Sequence, residues 1–581
     1  MADYKTPGVY IVEKNAFPSS AVAVETAVPV FIGYTEKAER KGKDLTRVPT
    51  RISSMAEYFE IFGGPFHPTF KITPIGSPGD TRPPEVTPVT PAAEGTPVTP
   101  AVEGTPANPT AEVTPEGTAA EVKVAASSEE PFTLNGKKYS LTLSENNELY
   151  FFTCLRFFYL NGGSDCYIVS VGSYEDVKKA GISKNDFLGD TTNKIPSVFD
   201  LLEKEYEPTL VLLPDVVALK PSTEDLGYYA LYGEVLKHCN KTQSRFGIFD
   251  VARSTDGTNK ANIDLFREKI GSDFLKYGAA YYPWLKTSII DASEINFTNL
   301  HASVDLNSLL PEAQAKDVLT KGPGRLKPLT QEEFDAIPTT TKKEATLEAE
   351  NKKITPETIR QNITNYHQSL VACSPSYKQI MEELRSRLNL LPPSSAMAGI
   401  YTLVDTARGV WKSPANVSVG SVNAPEVNIS GPEQETLNVD PVSGKSINII
   451  RAFPGIGTLV WGARTLDGNS QDWRYINVRR TLIMIEQSLK LATRAYVFEP
   501  NDSGTWVTLQ SMMNNFLFNL WKQGALAGAA PAQAYSVQVG LGVTMTPNDI
   551  LDGVLRITVL IAIVRPAEFI EITFQQQQQQ S

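Results

Sequence analysis

Cysteine and histidine are scarce in this chain of 581 residues. The four cysteines, Cys154, Cys166, Cys239 and Cys373, include no CxxC pair, which excludes a disulfide framework and a zinc-finger spacing. The four histidines, His67, His238, His301 and His367, stand in no ligand-like spacing, and neither an HExxH nor a GxSxG sequence occurs, so no metal, no cofactor and no catalytic residue is expected. Long apolar runs are missing as well. The longest aliphatic stretch, Ile557 to Val564 with Thr558 inside it, falls far short of the roughly 20 residues of a membrane-spanning helix. The stretch Met1 to Gly8 lacks the basic and apolar parts of a secretory signal, and synthesis in the cytoplasm without direct membrane insertion is expected. Positive charge is in deficit: 54 Lys plus Arg face 65 Asp plus Glu, a net of −11. The summed field repels phosphate backbones, and nucleic acid is not expected as a partner.

Aromatic residues are absent between Phe70 and Phe132, where Pro, Thr, Glu, Gly and Ala dominate. Such a stretch cannot build a core. A nine-residue unit recurs in it, from Thr87 to Gly95 and again from Thr96 to Gly104, which reads as an extended, polyproline-like linker over about 73–127. Elsewhere 25 Phe and 22 Tyr supply ordinary cores, and the length implies several packed units. The polar stretch 316–359 reads as a connecting segment, and 575–581 as a disordered Gln tail.

From Tyr167 to Leu285, short β-branched and aromatic runs (Tyr167 to Val171, Leu210 to Leu213, Phe246 to Phe249, Ala279 to Trp284) alternate with helical patterns (Pro196 to Tyr206, Thr223 to Lys241, Asn259 to Tyr277). That rhythm predicts an α/β layer domain. Toward the C-terminus, Val478, Leu482, Ile485, Leu489 and Ala492 form one helical stripe, with Arg479 and Arg480 placed mostly off it. Trp506, Leu509, Met513, Phe516 and Leu520 form a second stripe, opened by cap candidates Asn501 to Ser503 and closed near Gly524. Strands are expected at Tyr535 to Leu541 and Leu555 to Val564, giving an α+β domain.

Several patterns with chemical potential read better as structure. Gly444-Lys445-Ser446 resembles the end of a phosphate-binding loop, but the glycine needed five positions earlier is Val439, so a turn is expected. Gly455-Ile-Gly457 also reads as a tight turn. Asp215 and Asp250 each follow a strand, where open α/β sheets place binding or acid-base groups. Aspartate there is also an ordinary cap or turn residue. These two carry the alternative of an α/β enzyme; the Pro/Thr segment carries a second alternative, a surface adhesin.

The two ends are more distinctive. Pro7-Gly8-Val9-Tyr10-Ile11-Val12 alternates as a strand behind a turn, and Phe569-Ile570-Glu571-Ile572-Thr573-Phe574 places Ile570, Ile572 and Phe574 on one face. Terminal strands either close their own sheet or are lent to a neighbour by strand addition, and the pattern alone fits both.

Seven segments in order resemble the tail sheath protein of contractile injection systems, the family of contractile phage tails and of the extracellular antifeeding-prophage and virulence-cassette particles. They are Thr6 to Glu13, Leu391 to Tyr401, Arg408 to Asn416, Val460 to Leu466, Trp473 to Arg480, Phe498 to Asp502 and Val564 to Ile570. The likeness is clear over 4–34 and 391–574 and looser between. It implies a multidomain α/β and α+β chain: an inner α+β domain from 1–34 plus 360–574, and an inserted outer α/β domain from 35–72 plus 128–315. It also implies a protein that is no enzyme, that stacks as hexameric rings around an inner tube protein with baseplate and terminal cap proteins as further partners, and that contracts to drive the tube through an envelope as part of a releasable tail-like particle. Both terminal strands then serve inter-subunit exchange. From Arg451 to Phe574 ten basic residues meet nine acidic ones, the least acidic part of the chain. Lys522, at the end of the second amphipathic helix, suits the helix dipole. The resemblance makes it the candidate tube contact.

Overall fold

The computed structural model describes residues 21–75, 131–144, 148–219, 226–253, 259–328 and 347–572, together with Thr330 and Phe334. Strands are labelled β1 (Pro29–Thr35), β2 (Thr50–Ile52), β3 (Phe70–Pro74), β4 (Phe132–Leu134), β5 (Lys137–Leu143), β6 (Cys166–Ser173), β7 (Leu210–Leu212), β8 (Phe246–Asp250), β9 (Gly278–Tyr282), β10 (Val417–Ser418), β11 (Ile447–Phe453), β12 (Gly457–Val460), β13 (Tyr535–Val539) and β14 (Ile557–Ile561). The helices that matter most are α1 (Phe151–Leu160), α2 (Tyr228–Thr242), α3 (Ser394–Arg408), α4 (Ile476–Thr493) and α5 (Ser503–Lys522).

A nine-stranded sheet in the order β10-β12-β11-β9-β8-β7-β1-β6-β2 forms the centre. The strands from β11 to β6 run parallel, and the edges β2, β12 and β10 are antiparallel. Parallel strands are covered on both faces, so they read as continuous apolar runs rather than alternating ones; β1, Pro-Val-Phe-Ile-Gly-Tyr-Thr, is buried at every position. Alternate residues feed two cores. Phe31, Leu212, Ile248 and Tyr281 face α1 and α3, whereas Val30, Val211, Phe249 and Tyr282 face α2 and the shorter helices around it. Gly33 in β1 is required by space: a Cβ there would lie 2.3 Å from the Phe151 ring and 2.6 Å from the Asp215 carboxylate.

The sheet crosses the domain boundary drawn from the sequence. β1, β11 and β12 come from the segments assigned to the end-built domain, while β2 and β6 to β9 come from the inserted one. Hydrophobic alternation reports which residues are buried and carries no label for the partner strand, so the shared sheet could not be read locally. The polar stretch after 315 also contributes regular structure: helix Ala313–Lys321 runs into it, Leu347–Lys352 lies within it, and Pro356–Cys373 begins in it. The long apolar run at 279–284 divides at Pro283, since β9 ends at Tyr282 and Leu285–Thr287 joins a separate three-stranded sheet.

The C-terminal unit follows the expected pattern, with one correction. In α5, Leu509, Met513, Phe516 and Leu520 are buried, together with Met512 and Leu517, and Asp502 caps the start by accepting the Thr505 N–H. β13 and β14 pair antiparallel and lie on α5. In α4, however, Arg479 and Arg480 are buried, and Leu482 is only half-buried. This helix has the sheet cores on one side and α5 on the other, so its buried face is wider than one stripe.

A third core joins the small sheet β3-β5-β4 to helices Pro356–Cys373 and Pro375–Leu388. The Pro/Thr segment begins later than expected, since Thr73 and Pro74 end β3; 76–127 lie outside the described residues, but the two flanking strands are well placed. Pro74 and Phe132 both pair with Tyr139, from opposite sides of β5. They therefore lie two strand spacings apart, about 10 Å. Such close ends can be joined by a short loop at small entropic cost. Replacing 83–126 by a short Gly-Ser linker is expected to leave the thermal midpoint of the unassembled subunit within about 2 °C of wild type; a larger drop would mean that the segment packs on the fold.

Candidate assembly site

Asp215 and Asp250 lie at the C-terminal ends of the central strands, as expected, and both are fully buried. Neither faces an open cleft. Helices α1 and α3 are preceded by Tyr150 and Pro393 at their N-cap positions, neither of which caps its helix with a side chain, and the two aspartates cap them from a distance. One Asp215 oxygen accepts the N–H groups of Tyr150 and Phe151 at 2.8 and 2.9 Å, and the other accepts the Tyr34 N–H at 2.9 Å. Asp250 accepts the Ser394 N–H at 2.7 Å and the Ser394 hydroxyl at 2.5 Å. Desolvation raises both carboxyls, Asp215 to about 6 and Asp250 to about 7, against the lowering effect of those hydrogen bonds. Both are spent on holding helices to the sheet.

The phosphate-loop resemblance resolves in the same way. Gly444 sits in a turn at φ 71°, and the Lys445 ammonium is buried against the Arg267 carbonyl, to which it donates. Among the described residues no group of three or more His, Cys, Asp or Glu is placed to hold a metal ion. No helix among them is long and apolar enough to cross a membrane.

What the fold does prepare is a set of chain exits. At the N-terminal one, Arg480 donates to both oxygens of Asp405 at 2.9 and 2.6 Å and to the Thr26 carbonyl at 3.2 Å, and the Thr26 hydroxyl donates to Asp405 at 2.6 Å. The guanidinium also lies 4.5 Å from the centre of the Tyr401 ring. At the C-terminal exit, Glu568 accepts two bonds from the Arg464 Nε and one from its NH2 group, at 2.7 to 3.2 Å, with Asn438 and Tyr475 completing its shell. Desolvation works to raise the Glu568 carboxyl, but the hydrogen bonds from Arg464, Asn438 and Tyr475 outweigh it and hold the group below its usual range. Each pair is a bidentate or near-bidentate Arg–carboxylate contact, the geometry that fixes orientation as well as charge.

Past Glu568, residues Phe569, Ile570, Glu571 and Ile572 are exposed and enter no ladder. Pro7 to Val12, Thr573 and Phe574 lie outside the described residues. Beside these exits the β13–β14 hairpin has no third strand among the described residues. Its inner face packs on α5 through Val537, Ile557, Val559 and Ile561, while Leu560 is exposed. A lone hairpin is at the lower limit of sheet stability. On the β13 edge the Val537 carbonyl accepts from the Gln510 amide of α5 at 2.9 Å, and neither edge is covered by a further strand among the described residues. Lys522 is exposed in the last turn of α5, its ammonium 4.6 Å from the centre of the Phe518 ring. Arg464, Arg480 and Glu568 lie within motifs noted in the sequence, but their role was not legible: the Arg480 partner is 75 residues away. The available signal was a pair of arginines in the middle of an apolar helical pattern.

Residues 469–577 match the phage tail sheath C-terminal domain. Among curated proteins, the tail sheath protein of Burkholderia phage BcepMu is 29% identical over 159 residues, 27% of this chain and 33% of that one. The tail sheath protein of Vibrio phage KVP40 is 24% identical over 177 residues, 30% and 25% of the two chains. The matched stretches thus span a quarter to a third of those relatives. Solved structures match from end to end. The helical sheath of the anti-feeding prophage in its contracted state is 25% identical with a TM-score of 0.53, covering 99% of this chain and 100% of that one. The sheath of the PVC extracellular contractile injection system, also contracted, is 22% identical with a TM-score of 0.51, covering 99% of both. The chain carries a phage tail sheath C-terminal domain at 469–577, and its described residues have the fold of a contractile injection system sheath protein.

The two buried aspartates differ in what they can tolerate. Asparagine at 250 can still accept the Ser394 N–H and donate to its hydroxyl. At 215 both oxygens accept backbone N–H groups, so an amide would set donor against donor. Asp215→Asn is therefore expected to destabilise the subunit by about 2–3 kcal/mol, with Asp250→Asn far milder. For a carboxyl whose folded pKa is raised above 3.8, the folded state holds the proton longer, so stability is present below about 4 and is lost as pH rises through about 7. Denaturant unfolding between pH 4 and 8 should show that decline in the wild type and a smaller one in Asp250→Asn; equal slopes would refute the assignment.

Proposed function

We propose that this protein is a structural sheath subunit that polymerises as stacked hexameric rings around an inner tube and contracts to drive the tube through a target envelope. The observation that carries the reading is a hairpin with no third strand among the described residues, together with two chain ends that leave the fold from ion-pair anchors. In this reading Pro7 to Val12 of one neighbour and Phe569 to Phe574 of another add to the β13 and β14 edges, so that each subunit holds and is held by others. Strand addition supplies main-chain hydrogen bonds whose geometry survives rotation of the domains they tie, provided the connecting segments act as hinges. The end-to-end likeness to two sheaths supports it. The protein then acts as no enzyme, and the use of Asp215 and Asp250 as helix caps supports that. Its partners are further copies, the tube protein, and baseplate and terminal cap proteins of a releasable tail-like particle.

The inner surface carries α5 and Lys522. Contacts with the tube must be individually weak, because the sleeve has to release the tube when it contracts. Many screened ion pairs repeated around each ring meet that need.

Deleting Thr6 to Glu13, or everything after Glu568 so that the Arg464 pair is spared, should leave a folded subunit that no longer polymerises. Electron microscopy of purified protein with its tube protein decides this, and long sheaths of normal stability from either truncation would refute strand exchange. Lys522→Glu should fold normally but lower the yield of extended sheath around the tube several-fold, with partial recovery on reversing an acidic tube residue. An unchanged yield at physiological salt would remove Lys522 from the tube surface.

A further inference from the structure

Phe498 is fully exposed, and its backbone has φ 75°. A bulky non-glycine side chain is seldom held in that region, where it crowds its own backbone. The conformation is imposed locally: α4 tightens into the 3-10 turn Arg494–Tyr496, and the Glu499 N–H then donates to the Tyr496 carbonyl at 3.2 Å. The result is an apolar tip, Val497 and Phe498, with Val497 60% exposed. Nothing among the described residues covers it.

The path of the N-terminal segment points at this tip. Thr26 is fixed at Arg480, and the Val24 N–H donates to the Ser488 hydroxyl at 3.0 Å. Ala21 and Val24 pack on the cluster that contains Leu489, Ala492 and Tyr496. Read backward from Thr26, the chain therefore runs along α4 toward the C-terminal end of that helix. From Val24 back to Phe17 an extended chain covers about 23 Å. From Ser488 along the helix, the 3-10 turn and the two residues after it to Phe498, the distance is about 20 Å. Phe17 is the only aromatic residue between Tyr10 and Phe31, and Pro18 after it disfavours helix at Phe17. Lys14, a little further out, has the charge to meet Glu499.

We infer that the Val497–Phe498 tip is the docking point of this chain's own N-terminal segment, with Phe17 packed against Phe498. The contact fixes the arm as far as Phe17, so that only the segment before it is free to reach a neighbour. It deepens the strand-exchange reading by fixing where the arm departs, yet it can be measured in unassembled subunits. The second possible occupant, the arm of another copy, is distinguished by the same experiment.

In the full-length chain with Cys373 changed to Ser, the remaining cysteines Cys154, Cys166 and Cys239 are buried. Phe17→Cys and Phe498→Cys are added, and dilute unassembled subunits are oxidised mildly. The expected result is a disulfide within one chain, seen as a mobility shift on non-reducing electrophoresis whose yield does not depend on concentration. A crosslink only between chains, or none, overturns the proposal. As a second measurement without engineered thiols, Phe498→Asp should accelerate tryptic cleavage after Lys14 several-fold; an unchanged rate also overturns it. Deleting Thr6 to Glu13 separates the two readings. If sheaths still form while the disulfide persists, strand exchange falls and the docking stands; if sheaths are lost and no disulfide forms, the reverse holds.

Discussion

One buried ion pair holds the parts of this molecule in register. Arg480 and Asp405 are both nearly inaccessible, at 3% and 5% side-chain exposure, and they join α4 to α3 while clasping Thr26 at the root of the N-terminal segment. A buried pair of this kind is weak evidence for net stability, because desolvating two charges offsets most of their attraction. Its value lies in geometry. Removing one partner leaves a buried charge, typically at a cost of about 3–5 kcal/mol, so the three elements are held in one arrangement. In the proposed sheath, a subunit turned as a rigid body while its ends stay tied to neighbours would need this kind of fixed exit.

The same logic recurs at the other exit and within the sheet. Arg464 holds Glu568 at the end of the packed part of the described chain, so the position of the exit is fixed relative to β13 and β14. Asp215 and Asp250 tie α1 and α3 to the strand ends, and Gly399 lets those helices approach until a Cβ would stand 2.5 Å from the Phe158 carbonyl. These polar anchors are costly to bury and specific in direction. Apolar packing alone would allow helices to slide, since many packings of similar area have similar energy.

How much of this was legible follows from which interactions are local. β6, β7, β8 and the stripe of α5 could be read because burial writes itself into neighbouring residues, as continuous apolar runs or as 3- and 4-residue spacings. The caps at Asp502 and the turns at Gly444 and Gly455 to Gly457 were equally local. Arg480 was placed on the wrong side of α4 because charge predicts exposure only when no partner is present, and its partner lies on another helix. Asp215 and Asp250 were flagged by position at strand ends, yet their task depends on helices that start 65 and 144 residues away. The division into an end-built and an inserted domain failed to follow the sheet for the same reason: strand order is a long-range property.

The hairpin is where local consistency deliberately stops. Among the described residues every other sheet has at least three strands or is a minor pair of two-residue strands, whereas β13–β14 pairs five residues on each side and has an apolar inner face already committed to α5. Natural proteins usually blunt such edges with charge or proline. Here Ser536, Gln538, Thr558 and Leu560 carry neither, so the edges are suited to pairing. An open edge is an aggregation hazard if any strand can join it. Specificity must then come from delivery, and anchored exits that limit where an arm can reach supply it. In the proposed strand exchange the buried arginine pairs and the hairpin then form one device: the first restricts the arms that the second would receive.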